Sequence, residues 1–275
     1  MTRDRRIAGV ASYIVLSLLA AAMVFPFLWM ILSSLKDATQ IFQPAIFPSH
    51  PSLDNYAAIL LAKGSRFPRW FLNSFIVAMG TTASVLFFDS LIGYTLAKFD
   101  FPGKRLIFLL IISTLMIPTE MLVIPWYNLS RALKWGNSYW GIMFPGMISA
   151  FGVFLMRQFM STLPDDLIDA ARMDGRGEFS IFLRVALPLV KPALATLAIF
   201  NFIGNWNAFL WPLIVATKPG MFTLPVGLAN FSGEAGSDWH LIMTGATVAM
   251  VPLIVVFLVF QKQIVRGIAM TGMKG

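Results

Sequence analysis

Eight charged residues crowd into LPDDLIDAARMDGRGEFSIFLRVALP, residues 163–188: Asp165, Asp166, Asp169, Asp174 and Glu178 beside Arg172, Arg176 and Arg184. Long uncharged runs lie on either side. The segment is either a solvated loop between spans or an element on which a cytoplasmic partner docks. Two further acids, Asp89 and Glu120, stand inside apolar runs, where a charge is expensive and suggests function by default. Glu120 lies between Pro118 and Pro125, where broken helix geometry could expose carbonyls to a cavity. It could equally pair with a neighbouring subunit, and Asp89 could lie near the end of a tilted span. A third group, Asn201, Asn205, Trp206, Asn207 and Trp211, offers amides and indoles. Such residues either hydrogen-bond between helices or line a wet path where indole faces stack on sugar rings. Asn201 and Asn205 share a helical face at i, i+4, as do Asn207 and Trp211.

The elements that must position these groups are membrane helices. Of the 275 residues 57% are hydrophobic and 12% charged, against roughly 25% charged in a soluble domain. Uncharged runs cover Ile7–Leu35, Trp70–Phe88, Leu106–Thr119, Trp135–Met156, Pro192–Thr217 and Trp239–Gln261, and about 20 apolar residues cross the hydrocarbon. The third run continues past Glu120 to Ser130. This predicts an all-α integral membrane protein of six spans. Arg3, Arg5 and Arg6 ahead of an apolar stretch with Ala20-Ala21-Ala22 imitate a signal peptide, but the run continues to Leu35, beyond a signal h-region. A retained first span, about 7–35, is expected.

Fourteen of the 21 Lys and Arg fall in Arg3–Arg6, Lys98–Arg105, Arg157–Lys191 and Lys262–Lys274. These are the inside segments if both termini are cytoplasmic. The net charge of +8 is then explained by topology, and no nucleic-acid partner is expected. Cysteine is absent, and His50 and His240 form no ligand cluster, so no metal site is expected. The pair Gly103-Lys104 is followed by Arg105 and preceded, where a Walker A loop needs Gly, by Lys98. The chain therefore carries no P-loop to hold phosphates, and any ATP-derived energy must come from a partner. A secondary transporter driven by an ion gradient, with Asp89 and Glu120 as coupling groups, is the alternative that the residues leave open.

Within residues 163–188 the local chemistry reads as helix, turn, helix. Pro164 suits a first turn, and Asp165 and Asp166 favour the positive end of the helix dipole. Leu163, Leu167, Ile168 and Ala171 form a narrow apolar stripe, with Ala170 and Ala171 as a small-residue face. Asp174-Gly175 then turns the backbone through positive φ. A short helix of this kind is shaped to enter a groove on a partner.

These residues resemble the EAA loop of bacterial binding-protein-dependent ABC importers. The signature runs Glu-Ala-Ala, three residues, Gly, nine residues, Ile-x-Leu-Pro; here Asp169-Ala170-Ala171, Gly175, Val185, Leu187 and Pro188 keep its spacing. Asp169 and Val185 are mild departures, and Arg176-Gly177 stands where Ala-Ser is more usual. Supporting stretches are NSFIVA from Asn73, YTLAKFDFPGKR from Tyr94, FLMRQFM from Phe154, LPLVKPALATLAIFNFIGNWNAFLWPLI from Leu187, TLPVGL from Thr223, and the tail FQKQIVRGIAMTGMKG. The resemblance covers nearly the whole chain and is sharpest for the carbohydrate uptake subfamily, in subunits similar to the second maltose permease.

The resemblance implies a type I importer permease in a bacterial inner membrane. It is a single domain over 1–275, with a core bundle at about 68–262 and a cytoplasmic coupling loop at about 157–191. Its partners would be a homologous permease, two ATPase subunits that bind ATP-Mg, an extracytoplasmic sugar-binding protein and membrane lipid. This chain itself would bind no cofactor. Coupling residues would be Asp169, Ala170, Ala171, Met173, Asp174, Gly175, Phe182, Leu187 and Pro188. Pathway candidates are Glu120, Asn201, Asn205, Asn207 and Trp211. Lys218–Asp238, read as a flexible excursion, would probe the binding protein through Gly220, Pro225, Asn230 and Gly233, and the tail Gln261–Gly275 would reach the ATPases.

Overall fold

A computed structural model describes residues 3–233 and 236–272. Its contacts group the chain into two compact units, Met1–Pro68 with Gly227–Val251, and Arg69–Val226 with Pro252–Gly275.

The first unit contains α1 (Arg3–Ser34), α2 (Asp54–Leu60), the two-residue strands β1 (Ser232–Gly233) and β2 (Gly236–Ser237), and the start of α14 (Trp239–Gly272). From Ser12 to Trp29, α1 is apolar nearly all round and exposed, as expected where lipid is the solvent, whereas Ser33 and Ser34 at its end are buried. After α1, Pro44, Pro48 and Pro51 suit an extended loop, yet the segment holds α2 and a set of side-chain hydrogen bonds. Asn55 donates to the carbonyls of Ser34 (2.9 Å) and Lys36 (2.7 Å), satisfying oxygens left free where α1 ends. Lys36 is buried and donates to the Ala45 carbonyl. The carboxylate of Asp37 accepts from Thr39 and Gln40, and the Thr39 hydroxyl foremost holds it below the usual carboxylate range. Residues 234 and 235 of the expected excursion Lys218–Asp238 lie outside the described residues, as do the last three of the expected ATPase-reaching tail.

The second unit is built on α3 (Phe67–Lys98), which is long enough to span a bilayer alone. Among the described residues three bent helix pairs follow it. α4 (Lys104–Ser113) and a 3₁₀ turn to Met116 meet a 3₁₀ turn at Thr119–Leu122 and α5 (Val123–Ala132) at 96°. Pro118 disfavours helix at the residue before it, and Ile117 accordingly adopts φ −89°, ψ 115°. The run that reads as one span to Ser130 is therefore sharply broken. α6 (Tyr139–Met143), with a 3₁₀ turn at Phe144–Gly146, meets α7 (Ala150–Ser161) at 49°. After α8 (Asp165–Met173), a stretch formed by α9 (Glu178–Ile181), a π-helical turn at Phe182–Ala186 and α10 (Leu187–Leu189) meets α11 (Lys191–Trp206) at 84°. α12 (Leu210–Val215), a 3₁₀ turn at Pro219–Met221 and α13 (Leu224–Ala229) follow.

Among the described residues, three helices are long and apolar enough to cross a membrane, or up to six spans if each bent pair counts as one. The expected six-span, all-helical architecture is thus met, with the β1–β2 ladder as a small addition.

Two glycines allow a close approach of α3 and α7. A Cβ on Gly93 of α3 would lie 2.8 Å from Met156 Cβ and Arg157 N of α7, while one on Gly152 of α7 would overlap the Asp89 carboxylate of α3. Small residues at such crossings let backbones come together. Beneath lies a core of Val85, Tyr94, Met156, Met160, Ile168, Phe182 and Leu197, among others.

Candidate functional site

The helix expected to begin with Pro164 in its first turn and to stop at Asp174-Gly175 forms as α8, Asp165–Met173, and its limits are local. Pro164 is the N-cap, with Asp165 and Asp166 in the first turn and Arg172 in the last. The carboxyl end closes as a Schellman motif: Arg176 N donates to Ala171 O (3.1 Å) and Gly175 N to Arg172 O (2.9 Å). Gly175 has φ +75°, a conformation that suits glycine.

Charges then tie α8 to its surroundings. Arg172 Nη1 lies 2.8 Å from Asp169 Oδ1 and Nε lies 2.6 Å from Glu178 Oε1. Tyr94 donates to Glu178 Oε2 at 3.4 Å. The Glu178 bond, and then the Asp169 bond, hold the guanidinium above its ordinary value. At the other end Lys98, the last residue of α3, donates to Leu163 O and Asp165 Oδ1, and that bond holds the Asp165 carboxyl below its usual range. Both ends of α8 are thus attached to α3, at Lys98 directly and at Tyr94 through Glu178.

The apolar stripe goes inward. Ile168 (1% exposed) and Ala171 (7%) join the core, so the stripe that the sequence offers to a partner packs inside the chain. Leu167 turns outward instead. The open face is Leu167, Ala170 and Met173 (89% exposed), edged by Asp169, Asp174 and Gly175. Phe182 is fully buried against Tyr94 and Phe179, and Leu187 is half-buried, whereas Pro188 is exposed. Ala171 and Phe182 therefore position the site and are not on its surface.

The pathway candidates divide. Asn201 Oδ1 accepts from Thr82 (3.2 Å) and Asn205 (3.0 Å), joining α11 to α3 as one amide cluster. Asn207 and Trp211 do not share a helical face, because α11 ends at Trp206 and a break precedes α12. Asn207 is exposed and caps the Ile203 carbonyl. Trp211 donates to Gly141 O at 3.0 Å and packs on Trp126 and Phe144. Glu120 is exposed at the 96° bend, beside Met116 (85%) and Met121 (70%). Asp89 is buried, and both its oxygens accept from Ser149 N, at 3.2 and 3.1 Å. Ser149 caps α7, so the carboxylate anchors that helix where its dipole is positive.

The expected excursion Lys218–Asp238 is partly tethered. Gly220 O accepts from Asn73 (2.9 Å) and Arg69, Phe222 O from Asn73, and Pro219 O from Trp70. Thr223, Leu224 and Val226 are buried and Pro225 is half-buried. Gly220 and Pro225 belong to the second unit, Asn230 and Gly233 to the first. Asn73 is the residue that sequence reasoning missed; an amide inside the run Trp70–Phe88 was its signal. The described residues hold no group of three or more His, Cys, Asp or Glu able to bind a metal.

The model of the family described as binding-protein-dependent transport system inner membrane component matches residues 89–270. The chain belongs to that family. It is 40% identical over 98% of its length, and 96% of the relative's, to the arabinooligosaccharides transport system permease protein AraQ of Bacillus subtilis (strain 168). It is 33% identical, over 98% of both chains, to the sn-glycerol-3-phosphate transport system permease protein UgpE of Salmonella typhi. In fold it is similar to a chain in the crystal structure of a bacterial ABC transporter involved in the import of the acidic polysaccharide alginate. That match has a TM-score of 0.85 at 24% identity and covers 95% of this chain and 98% of that one. As a binding-protein-dependent inner membrane component, the chain is a multi-pass membrane protein, and the importer resemblance read from the EAA loop holds. The ion-coupled alternative finds no support in these likenesses.

Proposed function

We propose that the chain is the non-catalytic permease subunit of an ATP-driven importer for a carbohydrate or carbohydrate-derived solute. It forms one permease domain, with its core at about 68–262. With a homologous permease it makes the pathway, both termini facing the cytoplasm. Two ATPase subunits bind ATP-Mg below, and an extracytoplasmic binding protein delivers substrate above. The observation that carries the reading is α8: a helix fastened at both ends, with an open face at Leu167, Ala170 and Met173. Such an element transmits movement because its own attachments do not yield first. Among the named relatives, the higher identity to the arabinooligosaccharide permease favours an oligosaccharide over a glycerol phosphate.

The test is purification of the tagged chain from its membrane in mild detergent, wild type beside Gly175→Pro. A P-loop ATPase and a second permease should accompany the wild type, and the ATPase should be lost from the variant. A wild-type chain that emerges alone defeats the reading. Uptake of labelled arabino-oligosaccharides and of glycerol 3-phosphate, with and without this chain, then decides between the substrate classes.

A further inference from the structure

At the end of the second unit where Lys98 meets α8, the chain has a second cationic feature. Lys104 and Arg105 of α4 and Arg157 of α7 line a groove of about 910 Å³. Its other wall is hydrocarbon: Phe108, with Leu106 and Leu109 61% and 53% exposed. The guanidinium of Arg157 lies over the Phe108 ring, 3.8 Å from its centroid, and its Nε is buried without a hydrogen-bond partner. The one acid lining the groove, Asp100, pairs with Lys104 at 3.1 Å. Arg105 and Arg157 thus have no carboxylate partner among the described residues, and the groove carries excess positive charge against an apolar wall.

We propose that this groove binds an anionic phospholipid, its headgroup phosphate held by Arg105 and Arg157 and its acyl chains lying along Leu106 and Leu109. Cationic pockets beside membrane helices recognise anionic headgroups, and long basic side chains reach headgroup level from the end of a span. The apolar wall selects the occupant. Leu106, Leu109 and Leu110 form an exposed row on α4, continuous with a surface that faces hydrocarbon in a bilayer. Neither a free phosphate nor an acidic protein surface has a use for that row. The inference goes beyond the transport reading and needs only that the chain lies in a membrane.

The test uses the chain in detergent with whatever subunits accompany it. Its melting temperature and the lipid it retains in native mass spectrometry are followed against phosphatidylglycerol, phosphatidylcholine and inorganic phosphate. Phosphatidylglycerol should be preferred to phosphatidylcholine, phosphate should not displace it, and affinity should fall roughly fivefold for each cation removed in R105Q and R157Q. R157K should keep most of the affinity. Arg105 is exposed, so R105Q leaves the fold intact and carries the test even if R157Q does not fold. Equal binding of the two lipids, displacement by phosphate, or wild-type affinity in the variants overturns the proposal. Loss of a partner protein with lipid affinity intact overturns it in favour of a protein-docking groove. None of these readouts depends on transport.

Discussion

Lys98 Nζ lies 2.6 Å from Asp165 Oδ1 and 2.5 Å from the Leu163 carbonyl, joining the last turn of α3 to the first of α8. The lysine is enclosed, its side chain 4% exposed, while the aspartate is open to solvent at 79%. The two partners are therefore unequal. Lys98→Met frees both the carboxylate and the Leu163 carbonyl, whereas Asp165→Asn retains the carbonyl bond and an acceptor. Uptake should fall much further in Lys98→Met, with membrane insertion unchanged; equal uptake by both variants would remove Lys98 from the coupling route.

The same pair fixes a pH dependence. Lys98 lowers the Asp165 pKa from its ordinary 3.8, so the stabilisation is present above that value and lost as pH falls through the lower folded one. The difference in melting temperature between wild type and Asp165→Asn should stay constant from about pH 8 to about pH 5. It should close below the ordinary carboxylate range. A difference that vanishes near neutrality would mean that the pair is not made in the membrane.

Gly175 separates backbone strain from side-chain space. Nothing lies within 4 Å of a Cβ built there, yet φ is +75°. Activity should therefore follow backbone tolerance: Gly above Asn, Asn above Ala, with a penalty of about 1–2 kcal/mol for the Ala variant. Pro, locked near φ −65°, should abolish uptake. Equal activity of the Asn and Ala variants, measured at matched expression, would contradict this ordering.

Asp89 is an anchor by geometry, and its variants should behave so. Asp89→Asn keeps an acceptor for Ser149 N and should transport. Asp89→Ala leaves that N–H unsatisfied at a cost of about 1–3 kcal/mol, and Gly152→Ala should destabilise as well by pushing the carboxylate away. Thermal unfolding in detergent, paired with uptake, checks this. Loss of transport in a fully stable Asp89→Asn protein would return the acid to a chemical role.

Asn137 has φ 54° and staples two segments: its Oδ1 accepts from Thr217 N (2.8 Å) and Lys218 N (2.7 Å), and its Nδ2 donates to Thr217 Oγ1. Asn137→Gly keeps the backbone conformation and removes the staple. Hydrogen exchange at the Thr217 and Lys218 amides should accelerate, with the rest of the second unit unchanged. Unaltered protection there would show that other contacts hold the segment.

The sequence by itself determined what short-range chemistry controls. Apolar runs long enough to cross a bilayer, the start of α8 at Pro164-Asp165, its end at Asp174-Gly175 and the spacing of the EAA loop all depend on neighbours within a few residues. Tertiary structure decided the facing and pairing of those elements. Ile168 and Ala171 turn inward because a core from α3, α7 and α11 is there to receive them. Asp89 and Ser149 meet across 60 residues, and Asn73 meets Gly220 across 147. Pro118 announces a break, but the 96° bend depends on how the two halves pack. A periodic pattern shows that a face is apolar; only the assembled chain supplies the surface that covers it.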